Sequence, residues 1–126
     1  MNQKYEITDI VHPQYPWLHR IRALRDVRED VHVGDLGGFV QSEENLSQEG
    51  QCWVANNAVA AEESYISGDA IMWDYSCARG CAVISGKSRI GGEAIIEDHA
   101  IVTSGYVHGN AVSYTHLRAH ETDSYL

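Results

Sequence analysis

A six-residue period runs from Cys52 to Val112 and constrains the fold more than any other feature of the chain. The first place of each hexad holds Cys or a small residue: Cys52, Ala58, Ser64, Ala70, Ser76, Ala82, Ser88, Ala94 and Ala100. The third place holds Val54, Ala60, Ile66, Met72, Ala78, Ile84, Ile90, Ile96 and Val102. Six residues fit one short strand plus one tight corner, and three such units close a triangular coil. The period therefore predicts a parallel β-helix over residues 46–111.

The period also predicts which side chains face inward. Third-place residues point into the coil, and first-place residues lie inside beside a corner, where only a small side chain fits. The fifth place holds Gly, Asn or Asp, with Glu62 as the exception, and these residues tolerate the positive φ of a sharp corner. Residues 18 apart should form stacked columns: Val54–Met72–Ile90, Ala60–Ala78–Ile96 and Ile66–Ile84–Val102. One unit, 100–104, has five residues, after which Val107 should take the inward place and Ala111 the next small inward place.

Residues 1–45 contain no hexads and are predicted to form an N-terminal cap, which a solenoid needs to cover its open end. Tyr5–Thr8 fits a short strand, whereas 18–27 fits a strand and a short helix equally well. The glycines of 34–40 lack the Lys-Ser/Thr of a phosphate loop, and they should instead let the backbone turn into the first coil. The arginines of this region are expected to pair with nearby acids on a solvated face: Arg20, Arg22, Arg25 and Arg28.

Four segments together resemble the YdcK-type hexapeptide-repeat proteins of bacteria and phages. They are Tyr5-Glu-Ile-Thr, Leu18-His-Arg-Ile-Arg-Ala-Leu-Arg-Asp, Gly34-Asp-Leu-Gly-Gly-Phe-Val-Gln-Ser-Glu-Glu-Asn-Leu-Ser, and Trp53-Val with the hexads after it. The resemblance implies an all-β fold with a left-handed parallel β-helix, a strand rather than a helix in 18–27, and a longer chain. It also implies an acyltransferase-like protein, with a coenzyme A thioester as acyl donor and no required cofactor. The hexads themselves are enough for about three coils.

The hexads stop at the end of the chain. Val-Ser-Tyr-Thr-His-Leu-Arg-Ala-His-Glu-Thr, which begins at Val112, resembles one reading frame of a sequencing adaptor. Residues 112–126 are therefore predicted to be a non-native, disordered or irregular tail on an N-terminal fragment.

One column of corner residues could carry chemistry. Glu63, Cys81 and His99 share the sixth place of their hexads and should stack, with Asp98 beside His99. A Cys–His contact can make a thiolate, and Cys, His and Glu together can bind zinc. The alternative is three exposed corner residues that the repeat merely aligns. Since acyltransferases of the resembled class use such a His, the resemblance implies His99 as general base with Asp98 orienting its ring.

The second place of the hexads faces outward yet is rich in apolar residues. It yields two apolar columns, Tyr65–Val83–Ile101 and Val59–Cys77–Ile95. Exposed apolar columns are typical of interfaces, and the resembled proteins commonly form trimers, so a homo-oligomer is expected. The alternative is that these residues are simply good strand formers.

Composition narrows the function classes. A net charge of −9 argues against nucleic acid as a partner, because phosphate binding requires a basic face. No apolar run approaches the length of a membrane span, and three cysteines without a paired spacing favour the reducing cytoplasm. Metal-dependent hydration would need three converging histidines, and the coils hold only His99 and His108. Two functions stay open: an acyltransferase-like enzyme, and a non-catalytic β-helical structural or interaction module.

Overall fold

The chain is an all-β parallel solenoid of about four turns in a computed structural model. The structure describes residues 3–109 and the backbone of three short strands after them. Its helical content within this part is one 3-10 turn, Glu43–Asn45. The predicted all-β, coiled architecture is confirmed, while its left-handed winding stays a prediction from the resemblance.

Three faces build the solenoid. The strands of residues 3–109 are β1 Tyr5–Val11, β2 His19–Ala23, β3 Leu36–Val40, β4 Trp53–Val54, β5 Val59–Ala60, β6 Tyr65–Ile66, β7 Ile71–Met72, β8 Cys77–Ala78, β9 Val83–Ile84, β10 Arg89–Gly92, β11 Ile95–Ile96, β12 Ile101–Val102 and β13 Tyr106–Gly109. The first face contains β4, β7, β10 and β13, the second face contains β5, β8 and β11, and the third face contains β6, β9 and β12. Each later strand pairs in parallel with the strand one turn earlier on its face, as stacked coils require.

The predicted core is confirmed. Every first-place and third-place residue from Cys52 to Val102 is fully buried. The column Ile66–Ile84–Val102 is aligned by the pairs of β6 with β9 and of β9 with β12. Val107 is buried opposite Ile90, so the five-residue unit shifts the register as the sequence predicts.

Two polar features of the hexads fit this winding. The corners take positive φ at the fifth place, and Glu62, the exception in the sequence, adopts it as well, at φ 59°. The buried Ser64 hydroxyl donates to the carbonyl oxygen of Ala61 at 2.8 Å, and Ser88 does the same to Ser85 at 2.6 Å. Serine is therefore tolerated inside because its hydroxyl bonds to the preceding corner.

The cap is continuous with the second face. Strand β1 pairs antiparallel with β2, β2 pairs antiparallel with β3, and β3 then pairs in parallel with β5. The strand interpretation of 18–27 is confirmed over its first half. The first turn already includes β3 and buried Leu46, which explains why the solenoid has more turns than the three expected from the hexads.

Two of the cap arginines bind the cap to the solenoid through backbone carbonyl oxygens, where pairing with acids was expected. Arg20 donates to the carbonyl oxygens of Gly37 and Asn56, each at 2.8 Å. Arg28 donates to the carbonyl oxygens of Gln51 and Asp69. The expected acid pairing is seen for Arg22, which lies 3.1 Å from Glu6.

Three short strands follow residue 109: β14 Ser113–Tyr114, β15 Arg118–Ala119 and β16 Ser124–Tyr125. They pair in parallel with β11, β12 and β13 respectively. The backbone of these three strands therefore pairs with the coil before it, while the disordered or irregular tail expected over 112–126 stays a prediction. The non-native origin of 112–126 stays a prediction, and the expected inward Ala111 lies outside the described residues. In the part of the chain that is described, no helix is long and apolar enough to cross a membrane.

Candidate functional site

The predicted corner column forms in part. Glu63 and Cys81 are in contact, with the thiol Sγ 3.3 Å from a carboxylate oxygen of Glu63. The Cys81 backbone N–H donates to the carbonyl oxygen of Asp98 at 2.8 Å, which stacks the corner of His99 on that of Cys81. Glu63, Asp98 and His99 are exposed. The 18-residue spacing therefore predicted the contact between Glu63 and Cys81 correctly.

The electrostatics of this column oppose a thiolate. The hydrogen bond to Glu63, followed by burial and the charges of Glu63, Asp98 and Glu62, raises the pKa of the Cys81 thiol. A carboxylate beside the sulfur repels a second negative charge, so the thiol stays protonated at neutral pH. Across the described residues, no three His, Cys, Asp or Glu side chains are arranged to bind a metal ion. The column thus matches neither an activated nucleophile nor a zinc site.

Three clefts lie elsewhere on the described surface. Two of the clefts border the first face and have volumes of about 620 Å³ and 480 Å³. Asp30, Ile71 and Trp73 line both of these clefts. The third, of about 360 Å³, lies between the loop at 12–18 and the second face. His99 lines none of these three clefts, so a substrate bound in one of them would not meet the predicted general base.

An aromatic stack lies on the first face and was not predicted. The Trp73 and Tyr106 rings are parallel within 5°, with centroids 5.8 Å apart. The indole lies over Gly91, where a Cβ atom would overlap the ring. The signal was present in the sequence, because Gly91 is the residue 18 places after Trp73 and leaves room for its ring.

Over β6, β9 and β12 the third face differs from the other two in charge, and β15 then places Arg118 in register with Ile101. In β6, β9 and β12 and the residue after each strand, the outward side chains are Tyr65, Ser67, Val83, Ser85, Ile101 and Thr103, and all are uncharged. The equivalent positions of the second face include Arg79 and Glu97, which form an ion pair at 2.8 Å. Those of the first face include the exposed Arg89.

The two predicted apolar columns are not equally accessible. In the column Val59–Cys77–Ile95, Val59 packs against Leu18 and Phe39 beneath the cap. Burial raises the pKa of the Cys77 thiol to about 11. In the column Tyr65–Val83–Ile101, Tyr65 is 42% exposed, and Val83 and Ile101 are half-buried. The second of these columns therefore offers the more open apolar surface.

Comparison with known proteins adds no family assignment: no family model matches the chain, and no curated protein is significantly similar to it.

Proposed function

We propose that this chain is a non-catalytic β-solenoid module that self-associates through its third face, the surface of β6, β9 and β12. The observation that carries the proposal is the lack of charge on the outward side chains of these three strands. Charged residues are depleted at the centre of protein interfaces, where they would lose water without gaining a partner. A second copy of the chain is the occupant, arranged as a trimer.

The charge of the chain supports this choice of face. Two copies that each carry −9 repel one another, and an uncharged surface is where this repulsion is weakest. The side chains are also favourable for contact: an apolar column, Tyr65–Val83–Ile101, runs beside a column of small hydroxyls, Ser67–Ser85–Thr103.

The test is a charge placed at the centre of the face. Val83→Glu should convert the trimer of 14.0 kDa chains to a monomer in light scattering coupled to gel filtration. Ile95→Glu is the matched control, because Ile95 is also half-buried and occupies the second hexad place, but on the second face. It should leave the trimer intact. Monomeric wild-type protein, or dissociation by Ile95→Glu alone, would refute the assignment of the third face.

Acetyl-coenzyme A separates this function from acyl transfer. The non-catalytic module should show no change in melting temperature when the thioester is added in excess, because a ligand stabilises only the fold that binds it. Stabilisation that the His99→Ala variant loses would instead support acyl transfer with His99 as its base.

A further inference from the structure

Lys4 and Cys52 form a buried pair where the cap meets the first turn. Both residues are fully buried, and the Lys4 Nζ atom lies 3.0 Å from the Cys52 Sγ atom. The same amine donates to the carbonyl oxygens of Cys52 at 2.8 Å and of Glu49 at 3.1 Å. These two bonds hold the nitrogen in one position beside the sulfur.

The separation of the two atoms suits one kind of covalent link. A direct sulfur–nitrogen bond is shorter than the sulfur–sulfur bond of about 2.0 Å, so it would draw the atoms together by more than about 1 Å. A single oxygen atom placed between them spans nearly the observed 3.0 Å. An S–O–N bridge can therefore form with little movement of either side chain.

We propose that Cys52 and Lys4 are a site of oxidative modification, joined by an Nζ–O–Sγ cross-link with dioxygen as the oxidant. The thiol S–H bond and one amine N–H bond break, and S–O and O–N bonds form. One oxygen atom of O₂ enters the bridge, and the other leaves as water with the two released hydrogens. Four electrons pass to oxygen, two from sulfur and two from nitrogen, so thiol, amine and O₂ give the bridge and one water.

The surroundings of the pair favour this reaction over simple oxidation of the thiol. Burial lowers the pKa of Lys4, although its hydrogen bond to Cys52 acts in the opposite direction. A lowered pKa increases the fraction of Lys4 in which the amine is neutral, and the neutral amine is the form that can bond to oxygen. Dioxygen is small and apolar, so it can enter a core that excludes larger oxidants and thiol reagents.

The other two cysteines provide internal controls. Cys81 faces the Glu63 carboxylate at 3.3 Å, and a carboxylate has no nitrogen to bridge. Cys77 lies near Arg79, whose guanidinium keeps its charge and does not supply a neutral amine. Within residues 3–109, the hydrogen bonds therefore single out Cys52 as the cysteine beside a lysine nitrogen.

The bridge would change the stability of the protein. It would join residues 48 positions apart and tie the N-terminal strand to the first turn. Like a disulfide, it would restrict the unfolded chain, and we expect the melting temperature to rise by about 10 °C.

The experiment compares intact masses of the full chain after incubation in air-saturated buffer and under anaerobic reduction. The oxidised protein should be about 14 Da heavier, because it gains one oxygen and loses two hydrogens. A thiol reductant should reverse the change once urea unfolds the chain and exposes the bridge. Fragmentation should locate the link between the segments that contain Lys4 and Cys52. Cys81→Ser should retain the added mass, whereas Cys52→Ser and Lys4→Arg should lose it, with circular dichroism to establish that each variant is folded.

Wild-type protein that gains no mass in air would overturn the proposal without reliance on any variant. A gain of one or two whole oxygen atoms would also overturn it, since it indicates sulfenic or sulfinic acid at an unbridged thiol. A mass gain that persists in Cys52→Ser would also overturn the proposal. So would a loss of two hydrogens alone, because it indicates a disulfide or a direct S–N bond.

Discussion

Gly86→Ala tests whether the turns of the solenoid stack as closely as the structure indicates. Gly86 lies at a corner with φ 63°, and a Cβ atom there would overlap the carbonyl oxygen of Thr103 in the next turn. The corner above belongs to the five-residue unit, 100–104, and backbone atoms cannot rotate aside as a flexible side chain can. Gly34→Ala is the matched control, because Gly34 also has positive φ, 92°, but nothing lies within 4 Å of its Cβ position.

The magnitude follows from two separate terms. Left-handed backbone strain costs about 1–2 kcal/mol in either variant. The overlap with the next turn adds about 1–3 kcal/mol in Gly86→Ala alone. The free energy of unfolding should therefore fall by about 2–5 kcal/mol in Gly86→Ala, with a midpoint of about 3.5 kcal/mol, and by about 1.5 kcal/mol in Gly34→Ala.

The assay is thermal and urea unfolding followed by circular dichroism. For a chain of 126 residues these losses correspond to a fall in melting temperature of about 13 °C for Gly86→Ala and about 5 °C for Gly34→Ala. Equal destabilisation of the two variants would refute the reasoning, because it would mean that the next turn does not restrict the corner.

Two further predictions concern the core and the second face. Ile84→Ala should lower the free energy of unfolding by about 2–5 kcal/mol in urea titrations, since Ile84 is fully buried between Ile66 and Val102, whereas the outward Ser85→Ala should change it by less than about 0.5 kcal/mol. Similar effects of the two substitutions would contradict the inward column. For Cys77, the pKa is about 11 in the folded protein against an ordinary value of 9.0, so the folded state holds the thiol proton more tightly. Stability should then fall between pH 9 and pH 11 by up to about 2 kcal/mol, and Cys77→Ala should remove this part of the pH dependence. An unchanged pH profile in Cys77→Ala would show that the thiol is not held protonated by burial.

Repetition explains why so much of the solenoid could be predicted. A side chain at the third hexad place packs against the third-place side chains 18 residues before and after it in every turn. Ile66, Ile84 and Val102 are therefore all predicted by the same spacing. The same rule predicted the contact between Glu63 and Cys81 and the inward shift of Val107. The cap follows no period, and there the sequence left a strand and a helix equally open for 18–27 until the resemblance was considered.

Properties that depend on non-repeating contacts were not predictable. The 18-residue spacing aligned the corners of His99 and Cys81. The positions of the cap and loops, however, decide where clefts form, and His99 lines none of the three clefts described above. Arg20 and Arg28 were expected to pair with acids, yet the docking of the cap brings backbone carbonyls of the solenoid within their reach.

The sequence by itself determined the coil, its inward residues and its corners, because each depends on spacing along the chain. Only the tertiary structure decided that Lys4 reaches the sulfur of Cys52, that the cap packs against one apolar column at Val59, and that Tyr65 of the other column stays exposed. These outcomes depend on how a non-repeating segment folds back over the coil, and no period in the sequence encodes that approach.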